Sequence, residues 1–261
     1  MTDETSLTGR TALVTGASRR RGIGFAVATR LVRRGASVVL HHHAPHDQDV
    51  YGGVEDLDAL LEELRAQLAP GAQVTAVAGD LGTPDAPHAV VAAARGAVGH
   101  LDVLVCNHAR SGDEVWLRTA TVEALDRHWE VNTRGTLLLT QAFAAQHDGR
   151  RGGRVIWMTS GQGHGPMSDN LAYAVSKAAL AGATWSVADE LVESGILLNT
   201  VNPGPVNSGY LDEVEGELAR RFPTGRVGLP DDPARLIAWL VSDEGEWVVG
   251  QVLSTEGGFR R

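Results

Sequence analysis

A doubly wound α/β fold, a parallel sheet with helices on both faces, is predicted by three observations. Short apolar runs alternate with stretches of helical periodicity, each pair taking about 30 residues. The runs are continuously apolar, as strands buried on both faces must be. The first of them is followed at once by a glycine-rich turn that opens a helix. The elements then follow in order. Thr11-Ala12-Leu13-Val14-Thr15 ends in Gly16 and reads as a strand. Residues 23–34 set Ile23, Val27, Leu31 and Val32 on one side of a helix that stops at Gly35. Strands are expected at 37–40 and 74–77, separated by an amphipathic helix over 56–68 with Leu57, Leu60, Leu61, Leu64 and Leu68. A helix over 87–98, a strand over 101–105 and a long helical pattern over 122–145 come next. A strand at 154–158, a helix at 171–192, a strand at 197–201, a helix at 233–241 and a last strand at 250–254 complete the order. No linker, repeat or low-complexity tract divides the chain, so residues 1–261 read as one domain, with ligands expected beyond the carboxyl ends of the strands.

Composition narrows the function classes. With 43% hydrophobic and 21% charged residues the chain is neither disordered nor fibrous. Its net charge of −9 argues against a nucleic-acid partner, whose phosphates need a basic face. No apolar stretch approaches the ~20 residues of a membrane span, and the start lacks the apolar core of a signal peptide. The single cysteine, Cys106, cannot form an internal disulfide. A cytoplasmic protein acting on a small molecule is expected. Of the 23 basic residues only one, Lys177, is lysine, and it stands four residues after Tyr173. Arginine replaces lysine on a surface, but not where a compact ammonium is wanted.

The turn after the first strand is the candidate phosphate cradle, with Gly16, Ser18, Arg19, Arg20, Arg21, Gly22, Ile23 and Gly24. Glycine there permits a tight turn and close approach of a pyrophosphate, and the helix N-terminus adds free N–H groups. Three consecutive arginines are expected to offer counter-charge to an additional phosphate. The second strand ends in Leu40-His41-His42-His43 with no acidic residue to accept from a ribose 2′-hydroxyl, so NADP(H) is favoured while NAD(H) stays open. His42 and its neighbours are expected to line the adenosine end. Adjacent histidines on a strand face opposite ways and no ligand spacing completes a set, so no metal is expected.

Ser160 ends the strand at 154–158, Tyr173 follows thirteen residues later, and Lys177 is at i+4 from the tyrosine. That spacing stacks phenol and ammonium on one helix face, and a neighbouring cation favours phenolate. Such a tyrosine can exchange a proton with a carbonyl–alcohol pair.

Together with Asp80, Asn107-His108-Ala109, Asn132, Tyr173-Ala174-Val175-Ser176-Lys177 and Asn202-Pro203-Gly204, these motifs resemble the short-chain dehydrogenase/reductase family across residues 7–258. The resemblance implies a Rossmann fold and an NAD(P)-dependent oxidoreductase acting on CH–OH groups. It implies that Tyr173 is the acid/base, that Lys177 bonds the nicotinamide ribose and lowers the tyrosine's pKa, and that Ser160 orients the carbonyl. Asn132 would hold a water relaying protons to Lys177. Asp80 and Leu81 would flank the adenine, Asn107 would support the sheet, and Pro203, Gly204 and Val206 would follow the nicotinamide. Five residues separate Gly16 from Gly22, more than the family usually has, so the loop should bulge. His108 and Arg110 stand where Asn and Gly are more common, and Asn207 and Ser208 where a threonine often touches the carboxamide. The longer loop, residues 158–162 and the Ser254-Thr255-Glu256-Gly257-Gly258 ending look like bacterial 3-oxoacyl-[acyl-carrier-protein] reductases, which makes a 3-oxoacyl thioester one candidate substrate.

Residues 204–228 are expected to form a substrate lid with a helix over 211–222, striped by Leu211, Val214, Leu218 and Phe222. Trp116, Trp157 and Met167 are candidates for a small apolar pocket or for the core. The helix at 171–192 is apolar nearly all round, and the family resemblance implies a homotetramer or homodimer through it. The alternative reading is a catalytically silent nucleotide-sensing regulator. It would be expected to lack one of Ser160, Tyr173 and Lys177, all present here.

Overall fold

The structure, a computed structural model, describes residues 5–260. Its centre is a seven-stranded parallel sheet in the order β3-β2-β1-β4-β5-β6-β7. The strands are β1 (Thr11–Val14), β2 (Ser37–His42), β3 (Val74–Ala78), β4 (Val103–Cys106), β5 (Gly153–Met158), β6 (Ile196–Asn202) and β7 (Val252–Ser254). The order reverses direction between β1 and β4, and the crevice at that switch point opens over the strands' carboxyl ends.

Alternation along each strand divides the core. Val14, Val38, Leu40, Val105 and Ile156 face α1 (Ile23–Arg33), α3 (Leu57–Arg65) and α9 (Asp231–Leu240). Leu13, Val39, Leu104, Val155 and Trp157 face the other way. There they meet α4 (Ala86–Val98), α6 (Gly135–Gln146) and α7 (Leu171–Val192). Trp157 is therefore core, fully buried with its indole N–H donating to Thr140 Oγ1 at 2.9 Å. Register follows from this burial, because a one-residue slip would turn each apolar set onto the wrong layer.

Three elements differ from expectation. An extra helix, α2 (Ala44–Tyr51), follows β2 directly. The pattern over 122–145 is two helices, α5 (Val122–His128) and α6, joined by a π turn over Trp129–Arg134. The helix over 211–222 shrinks to α8 (Glu215–Ala219). The residues before α8 are held as turns instead, where Asn207 Nδ2 donates to Asp212 at 2.9 Å and to Glu215 at 2.6 Å. No helix among the described residues is long and apolar enough to cross a membrane.

Candidate active site

The carboxyl end of β5 and the first turns of α7 bring Ser160, Tyr173 and Lys177 to one wall of a cavity of about 1300 Å³. Lys177 is buried, and its ammonium donates to the main-chain oxygen of Met158 at 2.9 Å. Its own main-chain oxygen accepts from Thr159 Oγ1 at 2.9 Å, so α7 is fastened to β5 on both sides of that lysine. Burial lowers the Lys177 pKa to about 8. The ammonium lies 5.8 Å from the Tyr173 ring centroid. Burial raises Tyr173 above its ordinary value, and a hydrogen bond with the Ser160 hydroxyl pulls it back. The depression of the tyrosine by Lys177 expected from the i+4 spacing is not present in this arrangement. Desolvation by burial is the leading influence on the phenol, and the lysine spends its nearest bond on Met158.

The glycine turn lies opposite. Gly16 has φ +61°, and a Cβ on it would fall 2.8 Å from His108 Cα. Gly24 is packed harder, since a Cβ there would meet Gly16 O at 2.4 Å and Asn107 Nδ2 at 2.7 Å. Asn107 braces the turn by donating to the main-chain oxygens of Thr15 at 3.0 Å and Gly16 at 2.9 Å. Gly22 caps α1 without a side-chain bond, and no acidic residue stands in the first turn. The amide end of α1 is thus left to an anion, and a dinucleotide pyrophosphate fits this cradle.

A family model described as Enoyl-(Acyl carrier protein) reductase matches residues 16–260. The chain belongs to the short-chain dehydrogenase/reductase family. It is an oxidoreductase of that family, whose members bind a nicotinamide cofactor. The uncharacterized oxidoreductase YjdA of Bacillus subtilis is 37% identical over 254 residues, covering 96% of each chain. A promiscuous reductase, LugOII, described as catalysing keto-reduction at C1 during lugdunomycin biosynthesis, superposes with a TM-score of 0.84 at 31% identity. The alignment covers 97% of this chain and 98% of that one. A 3-oxoacyl (acyl-carrier-protein) reductase of Agrobacterium tumefaciens with NADP bound superposes at 0.83 with 28% identity, covering 99% and 98%.

In this dehydrogenase/reductase most of the predicted residues share the one cavity. Gly16, Ser18, Arg19, Arg21, Gly22 and Ile23 line it beside Asp80, Leu81 and Asn107, and Pro203, Gly204 and Val206 close the far end. Four predicted residues are not in its walls. Arg20 turns away to pair with Glu55 at 3.2 Å and Glu63 at 2.8 Å. Gly24 acts one layer behind, through the close packing described above. His42 alternates to the opposite side of β2 from His41, which lines the cavity. Asn132 sits in the π turn with its amide fully engaged. Oδ1 accepts from Arg110 N at 2.7 Å, and Nδ2 donates to Arg110 O at 3.0 Å and Ser176 Oγ at 2.9 Å. Its side chain fastens the loop after β4 to α7.

His41, His43 and His46 line the cavity, as expected of the neighbours of His42, and His41 also braces the frame. His41 Nε2 lies 3.0 Å from Gly79 O, and its Nδ1 accepts from Gly16 N at 3.3 Å. Among the described residues no group of three or more His, Cys, Asp or Glu side chains could hold a metal. Of the apolar candidates, Met167 lines the main cavity. Trp116 lines a separate groove of about 450 Å³ with Leu117, Arg118, Ser168 and Leu171.

Sequence reasoning missed α2 and what it delivers. Tyr51 carries the Arg19 guanidinium 3.3 Å from its ring centroid, and buried Asp47 accepts from the Ser18 hydroxyl at 2.5 Å. Signals for this helix were present, with Pro45 in its first turn and Gly52 at its end in the left-handed region at φ +70°. Tyr210, from the 204–228 segment, also lines the cavity, so all three tyrosines of the chain meet there.

Proposed function

We propose that this enzyme interconverts a carbonyl and a secondary alcohol with Tyr173 as the acid/base, and that it uses NADP(H) in preference to NAD(H). The observation that carries the reading is the convergence of Ser160, Tyr173 and buried Lys177 on the cavity wall opposite a glycine turn shaped for a pyrophosphate. When bound, the nicotinamide supplies the hydride to the carbonyl carbon, or accepts it in the reverse direction. The Ser160 and Tyr173 hydroxyls are the donors for the carbonyl oxygen and the charge that develops on it. Tyr173 then gives its proton to the alkoxide, and Lys177 holds positive charge beneath the resulting phenolate.

The preference for NADP(H) is supported by Arg19. Arg20 is occupied by Glu55 and Glu63, and Arg21 by Asp212 at 2.6 Å. Among the described residues Arg19 forms no ion pair. It rests on Tyr51 and donates to Ser208 O at 3.1 Å, leaving its charge for an added phosphate. A 3-oxoacyl thioester is the first substrate to try, because one similar structure is a 3-oxoacyl (acyl-carrier-protein) reductase and another performs a keto-reduction.

Oxidation of NADPH and NADH with an acetoacetyl thioester, a diketone and a quinone tests the reading. Turnover should depend on NADPH and fall roughly a hundred- to ten-thousand-fold in Tyr173→Phe. Equal turnover by that variant would remove Tyr173 from the chemistry. Turnover of the diketone or quinone alone would keep the chemistry and discard the thioester.

A further inference from the structure

A buried histidine joins two parts of the site that the catalytic residues do not themselves connect. His108 follows β4 and is 7% exposed. Its Nδ1 lies 2.7 Å from Thr15 Oγ1, at the residue that opens the glycine turn. Its Nε2 lies 3.1 Å from the main-chain oxygen of Val131 inside the π turn. A carbonyl can only accept, so Nε2 carries the ring hydrogen and Nδ1 accepts from the Thr15 hydroxyl. Both nitrogens are used and one tautomer is fixed. Burial holds the ring neutral, and the positive charge of Lys177 on α7 acts in the same direction, while His41 on β2 and His46 on α2 are themselves held neutral by burial.

Each partner leads directly into the site. Thr15 precedes Gly16, which approaches His108 so closely that only a glycine fits. Val131 precedes Asn132, which grips Ser176 Oγ, while Thr133 Oγ1 donates to Ser176 O at 2.9 Å. Ser176 is the neighbour of Lys177 in α7. A displacement of the π turn is therefore passed within two residues to the lysine, and a displacement of Thr15 to the phosphate cradle.

We propose that His108 is a positioning residue with two separate anchors at the end of β4, holding the glycine turn of the cofactor cradle through Nδ1 and the π turn of the proton-supply side through Nε2. This rests on the reading of Tyr173 and Lys177 given above.

The two bonds can be separated. In His108→Asn the shorter amide can still reach Thr15 but not Val131, and in His108→Gln the longer one can reach Val131 but not Thr15. Three quantities are read: melting temperature, NADPH dissociation constant by tryptophan quenching, and kcat on the carbonyl that the wild type reduces. Loss of one buried hydrogen bond is worth about tenfold. His108→Asn should lower kcat about tenfold with the dissociation constant nearly unchanged. His108→Gln should weaken NADPH about tenfold with kcat nearly unchanged. A residue that only fills space would lower the melting temperature in both variants without this split. Absence of the split, with neither quantity moving or both moving together, overturns the proposal. The binding arm needs no turnover, so it decides even where no carbonyl is reduced. Unimpaired turnover by Tyr173→Phe would instead strike the catalytic reading alone.

Discussion

At the scale of single residues, this site depends on charges and tautomers set by burial. His41 is the plainest case. Burial lowers its pKa to about 4, whereas a histidine in the unfolded chain titrates near ~6.5. Between those values the unfolded chain binds the extra proton, so stability rises with pH through the window and is lost as pH falls through it. Urea unfolding at pH 4.5 and pH 7 should differ by about 2–3 kcal/mol from this group, at ~1.4 kcal/mol per pH unit. His41→Gln, which keeps a donor for Gly79 O, should remove that share, and an undiminished pH dependence would contradict the assignment. Arg19 makes a second residue-scale test. Arg19→Ala should weaken NADPH at least about tenfold, as loss of a charge-assisted bond does, and leave NADH nearly unchanged. Equal loss for both would mean that Arg19 serves the pyrophosphate or the frame. Single residues were also what the sequence displayed best. Ser160, Tyr173 and Lys177 are legible because chemistry demands those types at those spacings, and the sole lysine marks itself. The partners of Arg20 and Arg21 were not legible, because Glu63 and Asp212 reach them through tertiary structure alone.

At the scale of elements, the turn between β1 and α1 is the most constrained. Gly24→Ala would drive a methyl group to 2.4 Å from Gly16 O, which backbone cannot yield cheaply. Overpacking of this kind costs about 1–3 kcal/mol, so NADPH binding should weaken at least about tenfold. Tryptophan quenching checks this, and a wild-type dissociation constant would show that the turn relaxes. The strands and the helices facing them were readable from periodicity, since burial on both faces leaves a continuous apolar run. The π turn was not readable. Its extra residue shifts phase without interrupting the apolar pattern, and backbone bonds such as Gly135 N to Glu130 O reveal it. Helix α2 escaped for the opposite reason. Asp47 is its one buried residue, so no apolar stripe marks it. The segment ahead of α8 was misread as helix because Leu211, Val214 and Leu218 have helical spacing. The side-chain bonds from Asn207 to Asp212 and Glu215, together with Arg21 on Asp212, fix turns there instead.

At the scale of the whole molecule, the parallel sheet places the glycine turn, the loop after β4, the start of α7 and the 204–228 segment around one crevice, as strand order alone requires. The surface away from the crevice is less ordinary. Trp185 on α7 is 68% exposed and Trp247, just before β7, is 95% exposed. Large aromatic side chains so placed suit contact with further copies of the chain. Light scattering is expected to give four times the chain mass, and a monomeric mass would sink the homotetramer. The central claim is that hydride reaches a carbonyl carbon while Tyr173 supplies the proton. It is tested most directly with NADPH deuterated at the transferred position and the carbonyl that the wild type reduces. The label should appear on the carbinol carbon of the product, at a rate that collapses in Tyr173→Phe. Label on a former alkene carbon, as the enoyl reductase description of the matching family model would have it, or label transfer undiminished in Tyr173→Phe, would contradict the account.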